Sequence, residues 1–184
     1  MLSGLAKDCA TSMGGIKTVY IANYDDVQEV LMVELDPETG EPLVDAEGKT
    51  KQVDVITKIT TANSKKFHQY NFRKGTGSMT SNLTIDAANG VNYVTTDLVL
   101  SFLRMETTKR VEMAALAVNE LAVIVEDSNG KLWYLGYDEA VTATTGTGET
   151  GTARGDGNKY TITLQDTSVS YPYEVDPSAL TSLV

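Results

Sequence analysis

The sequence predicts a mainly β fold, an antiparallel β-sandwich or barrel with one flanking α-helix and a long projecting hairpin or loop. Three observations support this fold class. About nine or ten segments alternate apolar and polar side chains with the two-residue period of strands. Turn residues separate these segments, and a single segment has helical spacing. With 184 residues, the chain is expected to form one domain over 1–184 with a real core.

The composition narrows the class of protein. Hydrophobic residues make up 41% and charged residues 22%, as is ordinary for soluble globular proteins. No apolar run approaches the roughly 20 residues of a membrane helix, so no membrane insertion is expected. The first residues lack a basic region followed by an apolar core, which argues against a secretory signal. The single Cys9 excludes an internal disulfide framework and favours a reducing compartment.

The charge balance bears on nucleic acid. The net charge is −10, from 25 acidic and 15 basic side chains. Binding DNA through displaced counterions requires a basic face, and the sequence supplies no large one. We therefore expect no nucleic-acid binding. An acidic surface is still compatible with nucleic acid passing close by, since it repels the phosphate backbone.

The first elements are strands followed by an arm. Residues 14–27 predict a strand buried on both sides, because both of its faces are largely apolar. Ile16, Thr18, Tyr20 and Ala22 share one face, and Val19 and Ile21 line the other. A second strand follows at 27–35. Proline and glycine turn signals around Leu43 and Val44 then predict a projecting two-stranded arm or extended loop over 36–52. Residues 53–61 resume the sheet, and 65–75 give a further strand.

Residues 77–102, "GSMTSNLTIDAANGVNYVTTDLVLSF", predict a long hairpin around Asn89-Gly90. In its first arm Met79, Ser81, Leu83, Ile85 and Ala87 share one face, and Thr80, Asn82, Thr84 and Asp86 share the other. This alternation indicates one buried and one solvated face. The second arm begins polar and ends apolar on both sides, so its far end is expected to be buried.

The second half contains the helix and the last strands. Residues 107–120 repeat Val111, Ala114, Ala115 and Val118 at helical spacing, with Thr107 or Thr108 as the cap. A helix this short is expected to lie against the sheet for stability. Asn129-Gly130 joins two apolar runs as a hairpin. Residues 144–158 lose apolar periodicity and predict a flexible Gly/Thr-rich loop, "KYTITLQ" begins the closing strand, and "DPSALTSLV" is a short tail.

Candidate chemistry is sparse. His68 is the single histidine and lies on an aromatic strand face, and one histidine with one cysteine falls short of a structural zinc site. The acids Asp25-Asp26 and Glu126-Asp127 are sequence neighbours, which point to opposite faces of a strand. Residues 36–48 lack the spacing of a calcium loop. We therefore expect no enzyme activity, no cofactor and no metal site.

Three stretches occur in an order that resembles one protein family. They are "GGIKTVYIANYDDV", "FHQYNFRKGTGSMTSNL" and "MAALAVNELAVIVEDSNGKLWYLG", followed by the Gly-rich loop and "KYTITLQ". Together they are similar to the tail tube proteins of tailed bacteriophages. The resemblance implies a virion protein, made in the host bacterial cytoplasm, whose hexameric rings stack into a hollow tube. The genome would leave through the lumen without specific binding.

The resemblance also implies roles for residues and partners. Each subunit would contribute long strands to an inner β-barrel, and an early loop would reach the next ring. The lumen-facing candidates are Thr80, Asn82, Thr84 and Asp86. The inter-ring candidates are Asp36, Glu38, Glu41, Leu43, Val44 and Glu47. Expected partners are further copies of the chain and the tape measure, terminator and baseplate proteins.

Other interpretations remain open. A tail terminator, head–tail connector or capsid decoration protein would share a small β fold. Arg154-Gly155-Asp156 matches an integrin-binding tripeptide, so an adhesive β-sandwich is a second alternative. A hydrolase of unrecognised type is a third, although no acid, base and nucleophile converge in the sequence. The long hairpin favours the tube protein, because a terminator does not need a continuous lumen barrel.

Overall fold

Two β-sheets enclose the main core, and a small third sheet covers the other side of the larger one. The computed structural model describes residues 9–36, 38–45, 48–62, 65–181 and 183. The strands are β1 (Ile16–Asn23), β2 (Val27–Leu31), β3 (Val55–Ile56), β4 (Lys58–Thr61), β5 (His68–Asn71), β6 (Gly77–Asp86), β7 (Val91–Leu103), β8 (Leu121–Asp127), β9 (Leu132–Leu135), β10 (Thr142–Glu149), β11 (Lys159–Ser168) and β12 (Tyr173–Val175). The helices are α1 (Thr107–Val118) and α2 (Pro177–Thr181), with one 3₁₀ turn at Tyr24–Asp26.

The sheet order gives the sandwich its layers. The larger sheet runs β3-β12-β9-β8-β1-β5, the second runs β10-β11-β7-β6, and β2 pairs with β4. All of these pairs are antiparallel except β12 with β3. The predicted fold class, a mainly β antiparallel sandwich with a flanking helix, is confirmed.

The main core lies between the two larger sheets. Val19 and Ile21 of β1 face Leu98 and Leu100 of β7, and Ile162 of β11 joins them. A second core lies on the opposite side of the six-stranded sheet, where the β2–β4 pair and α2 cover it. Burying apolar surface on both sides makes this sheet the centre of the molecule.

Strand β1 shows why a fully apolar strand has to be central. Tyr20 and Ala22 point into the second core, while Val19 and Ile21 point into the first, so the predicted burial on both sides is confirmed. Ile16 packs in the first core and not with Tyr20 as predicted. The register against β8 shifts between Ile16 and Thr18, which moves Ile16 to the other face.

Helix α1 packs against the sheets through a face that the sequence pattern did not predict. Leu116 is 3% exposed and Met113 packs beside it against the main core, whereas Val118 is 81% exposed. The larger side chains fill the gap between the sheets, and the valine–alanine repeat faces outward. The predicted threonine cap is also wrong: the N-cap is Glu106, whose side chain makes no capping hydrogen bond.

Several predicted segments divide differently in the structure. Residues 53–61 form β3 and β4, which belong to different sheets and are separated by Thr57. The Thr57 hydroxyl donates to the Val33 carbonyl at 2.6 Å. The end of the chain, predicted as a tail, forms α2 directly after β12. These breaks depend on partners far away in sequence, so local periodicity does not show them.

Strand β10 corrects the predicted loop over 144–158. Residues up to Glu149 are strand and pair with β11. The apolar periodicity is missing because the inward positions are Gly146 and Gly148. Tyr160 of β11 packs where a side chain of Gly148 would lie: a Cβ atom there would come within 2.8 Å of the Tyr160 ring. An aromatic ring thus replaces the missing side chain across the pair.

This packing predicts different effects at the two glycines. We expect Gly148→Ala to destabilise the fold by about 1–3 kcal/mol, because the methyl group must displace the Tyr160 ring or the Met105 side chain. Gly146→Ala is the matched control, since its nearest atom is 3.9 Å away. Its effect should stay within about 1 kcal/mol. Urea unfolding of both variants measures the difference, and equal stabilities would contradict the packing argument.

Candidate functional site

The outer face of the four-stranded sheet is rich in hydroxyl groups. β6 supplies Ser78, Thr80, Asn82 and Thr84, which are all exposed. β11 adds Thr161, Thr163, Gln165 and Thr167, and β10 adds Thr142, Thr145 and Thr147 in register with them. β7 contributes Thr95, Asp97 and Ser101, together with the apolar Val91, Tyr93, Val99 and Leu103. The face is thus a broad polar surface, interrupted along β7 by these four larger side chains.

Hydrogen bonds tie neighbouring strands together on this face. The Ser101 and Thr161 hydroxyl oxygens lie 3.0 Å apart, and the Gln165 amide donates to Asp97 Oδ1 at 2.8 Å. Such cross-strand polar pairs stabilise a solvated sheet face.

The four predicted lumen residues lie together on β6. Thr80, Asn82 and Thr84 are exposed on one face, as the alternation predicted. Asp86 instead holds the hairpin turn: it accepts hydrogen bonds from the backbone N–H of Ala88 and the Asn89 side chain, at 3.0 Å and 2.6 Å. These donors, the Asn89 side chain above all, lower the pKa of Asp86.

The opposite side of β6 is less buried than the sequence pattern indicated. Met79 packs against the main core, but Leu83 is 45% exposed and Ile85 is 66% exposed. The six-stranded sheet therefore covers this side of β6 only near the start of the strand. The hairpin end of β6 and β7 leaves apolar side chains in solvent.

The sequence predicted β11 as the closing strand, but it did not predict the polar residues that β11 and β10 add to this face. A signal existed in "KYTITLQDT", where Thr161, Thr163, Gln165 and Thr167 alternate with buried positions just as the polar residues of β6 do. For β10 the sequence holds no such signal, because glycine occupies its inward positions.

Neither edge strand of this sheet pairs with a further strand within the described part of the chain, although α1 lies against β10. β6 pairs only with β7, and β10 pairs only with β11. Four antiparallel strands alternate in direction, so β6 and β10 run opposite ways. The charged side chains on the two edge strands are limited to Asp86 and Glu149. Single-chain proteins usually protect such edges with lysine, proline or a covering element.

The predicted arm is a ladder of short bridges. Val33 pairs with Gln52, Leu35 with Pro42, and Val44 with Thr50. Among the inter-ring candidates, Glu38 and Glu41 are exposed, Val44 is 57% exposed, and Asp36, Leu43 are half-buried. Glu47 lies outside the described residues.

Asp36 shapes the first turn of this arm. Its Oδ1 accepts the backbone N–H groups of Thr39 and Glu38 at 2.9 Å and 2.8 Å. These backbone donors lower the pKa of Asp36. The carboxylate therefore organises the turn that presents Glu38 and Glu41 to solvent.

Other candidate chemistries find no geometric support among the described residues. His68 and Cys9 are exposed, and no group of three His, Cys, Asp or Glu side chains there could hold a metal ion. Asp156 of the tripeptide bonds its own loop, because Oδ2 accepts the N–H groups of Ala153 and Thr152 at 2.6 Å and 2.8 Å. No helix over the described residues is long and apolar enough to span a membrane.

Asp166 is a buried carboxyl group beneath the polar face. It is 3% exposed, and its Oδ1 accepts the Gly136 N–H at 2.9 Å. Burial raises its pKa to about 6, and the charges of Asp138 and Glu139 add to this shift while the Gly136 N–H opposes it.

Neither the protein-family profiles nor the curated proteins nor the solved structures compared with this chain gave a match.

The raised pKa of Asp166 predicts a pH dependence of stability. Between about pH 4 and pH 6 the unfolded chain loses this proton before the folded protein does, so Asp166 lowers stability as pH rises through that window. Asp166→Asn can keep the Gly136 hydrogen bond without the charge. We expect it to raise the free energy of unfolding by about 1–2 kcal/mol at pH 7.5 and to have little effect at pH 4. Equal gains at both pH values, measured by denaturant unfolding, would contradict the assignment.

Proposed function

We propose that the chain is a structural subunit of a bacteriophage tail tube, which assembles into stacked, hollow rings and lets DNA pass through the lumen. The observation that carries this proposal is the four-stranded sheet, with one buried face, one hydroxyl-rich face and two edge strands that pair with no further strand among the described residues. The resemblance in segment order supports the same assignment. Its partners are further copies of the chain and the tape measure, terminator and baseplate proteins of a virion.

The edges support ring closure by strand pairing. Because β6 and β10 run in opposite directions, β6 of one copy can pair with β10 of the next as an antiparallel pair. Repeating this contact continues one antiparallel sheet around a ring and leaves no edge exposed. An odd number of strands per subunit would present parallel edges and break the pattern.

The size of such a ring suits a channel. Six copies of four strands give about 24 strands, and at a spacing of about 4.8 Å and a tilt of about 40° these close a barrel roughly 50 Å across. Side chains cannot fill an interior that wide. The face turned inward must therefore be solvated, and the hydroxyl-rich face is the one that meets this requirement.

The charges on that face are few and mostly acidic. They are Asp86, Asp97 and Glu149, with Lys159 bound to Glu149 at 3.1 Å. A lining of hydroxyl groups with a small acidic excess offers DNA phosphates no counterion, so nucleic acid would pass without binding. Most of the net negative charge lies elsewhere on the molecule.

The alternatives have less structural support. An adhesive role would need a free Asp156 carboxylate, yet one oxygen of that group holds two backbone N–H groups of its own loop. A terminator or decoration protein does not require two long edges that run in opposite directions and carry one charged side chain each. The arm over 36–52 is proposed as a contact between rings, with Glu38, Glu41 and Val44 as its exposed side chains.

Electron microscopy of the purified protein tests the proposal directly. We expect hollow tubes or six-fold rings at high protein concentration, because edge pairing needs no other component. Sedimentation velocity across a dilution series provides the control for artefacts of the grid. A monomer that stays dispersed at high concentration in both measurements would contradict the proposed function.

Cysteine labelling tests which face lines the channel. In a Cys9→Ser background, Asn82→Cys should react readily with a bulky polymer-linked maleimide in the free subunit. In the tube its labelling rate should fall by about tenfold or more, because the lumen restricts access. Gln28→Cys, exposed on β2, is the matched control and should keep its rate. Protection of Gln28→Cys with continued labelling of Asn82→Cys would place the polar face outside.

A further inference from the structure

The charges that lack an ion-pair partner are separated along the strands of the four-stranded sheet. We call the end where β6 meets β7 across the Asn89-Gly90 turn the hairpin end. The loop end is the opposite one, where β7 leaves at Leu103 and β11 begins at Lys159. The ends are formed by segments far apart in sequence, so the separation is a property of the fold.

The loop end carries the unpaired cations. Arg73 and Lys74 lie in the segment that enters β6, and Arg104 directly follows β7, with its N–H bonded to Asn158 of the 150–158 loop. That loop contains Arg154, and Arg110 lies in the first turn of α1. All five are exposed, and none has a carboxylate within 4 Å among the described residues.

The carboxylates at the loop end are already engaged. The lysines there bind them in four pairs, Lys17–Glu126, Lys109–Glu106, Lys131–Glu174 and Lys159–Glu149. Asp156 and Asp127 accept backbone N–H groups of their own turns. The five unpaired cations therefore give this end a net positive charge in spite of the acidic chain.

The hairpin end carries more carboxylates than cations: Lys65 and Lys66 lie near Leu121, but Lys65 already binds Asp26 at 3.4 Å. Asp86 closes the turn, and Asp138 accepts the Ser168 hydroxyl at the end of β11. Glu120 and Glu139 are exposed beside the Leu121–Val141 bridge that precedes β10. None of these four carboxylates has a lysine or arginine within 4 Å among the described residues.

We propose that this polarity is a docking device between copies of the chain: the arginine-bearing loop end of one subunit sits against the carboxylate-bearing hairpin end of the next. The inference rests on the proposed function, since it names the contact along the tube axis. Charge complementarity identifies the partner as a second copy in head-to-tail order, because like ends repel. A heterologous contact of this kind continues indefinitely, as a filament requires.

Repeating weak ion pairs around a ring makes the contact between two rings effective. A single exposed ion pair contributes little, but a ring presents the same charges once per subunit, and all engage together when two rings meet. The contact is expected to weaken with salt, because exposed charges are screened beyond about 10 Å at 0.1 M ionic strength. Strand pairing at the edges depends on hydrogen bonds and should respond far less.

Reciprocal charge reversal tests the proposal. The first variant, Glu120→Lys, Asp138→Lys and Glu139→Lys, sets three lysines against Asp86 and so makes both ends positive. The second, Arg73→Glu, Lys74→Glu and Arg154→Glu, sets three carboxylates against Arg104 and Arg110 and so makes both ends negative. We expect each variant alone to form rings but about tenfold fewer stacked tubes. Mixing the two ring preparations should restore tubes, since each variant's altered end then meets an opposite charge.

The control variant is Glu29→Lys with Asp54→Lys, which replaces carboxylates by lysines at exposed positions outside the four-stranded sheet, on β2 and just before β3. It should stack normally. Normal tubes from each reversed variant alone would overturn the inference while leaving the ring proposal intact. Lost stacking that mixing does not restore would also overturn it and would assign the basic end to another anionic partner, such as nucleic acid. Wild-type protein that forms no rings would contradict the proposed function itself.

A second measurement covers variants that fail to fold. Wild-type tubes transferred from 0.05 M to 1 M NaCl should shorten towards single rings, by about tenfold in mean length. Electron micrographs measure the length distribution. Tubes of unchanged length across this range would overturn the inference without any substitution.

Discussion

The alternation along β7 is the constraint on which the rest of the structure depends. Leu98 and Leu100 are fully buried. Asp97, just before them, and Val99, between them, point to the opposite face. β7 is held on both sides, by β6 and by β11, and the Gln165–Asp97 hydrogen bond fixes the polar side. A slip of one residue would bring Asp97 into the core and expose the leucines. The register of one central strand therefore decides which face packs and which face meets water.

That constraint leaves the sheet with one buried face and two edge strands that pair with no further strand among the described residues. Helix α1 closes one side of the sandwich by inserting Leu116 between the sheets, and it lies against β10 without forming a strand pair with it. The threonines of β6 and β10 favour strand structure without adding charge, and Tyr160 fills the space left by Gly148. These features stabilise edge strands and leave them able to pair, which is a hazard for a monomer and a requirement for a ring.

The sequence predicted the strands in which the polarity of each face follows directly from whether that face is buried or solvated. β6 alternates because one side is solvated, and β1 is apolar throughout because both sides are buried. The prediction was wrong where a partner distant in sequence decides. β10 carries glycine where Tyr160 supplies the packing, and α1 turns its valine–alanine repeat outward because Met113 and Leu116 fill the gap better. The polarity of the two ends could not be predicted either. Arg73, Arg104 and Arg154 lie in separate loops that only the folded topology brings to one end.

The two surfaces that emerge lie in perpendicular directions and use different chemistry. Edges run along the strands and offer backbone hydrogen-bonding groups, which specify direction but tolerate many side chains. The ends lie across the strands and offer charged side chains. Their attraction specifies which end meets which, but salt screens it. On the proposed function, such a subunit would close a ring through its edges before meeting another ring through its ends. The two proposed contacts would share few side chains, so each could change without loss of the other, and the buried register of β7 would hold both in place.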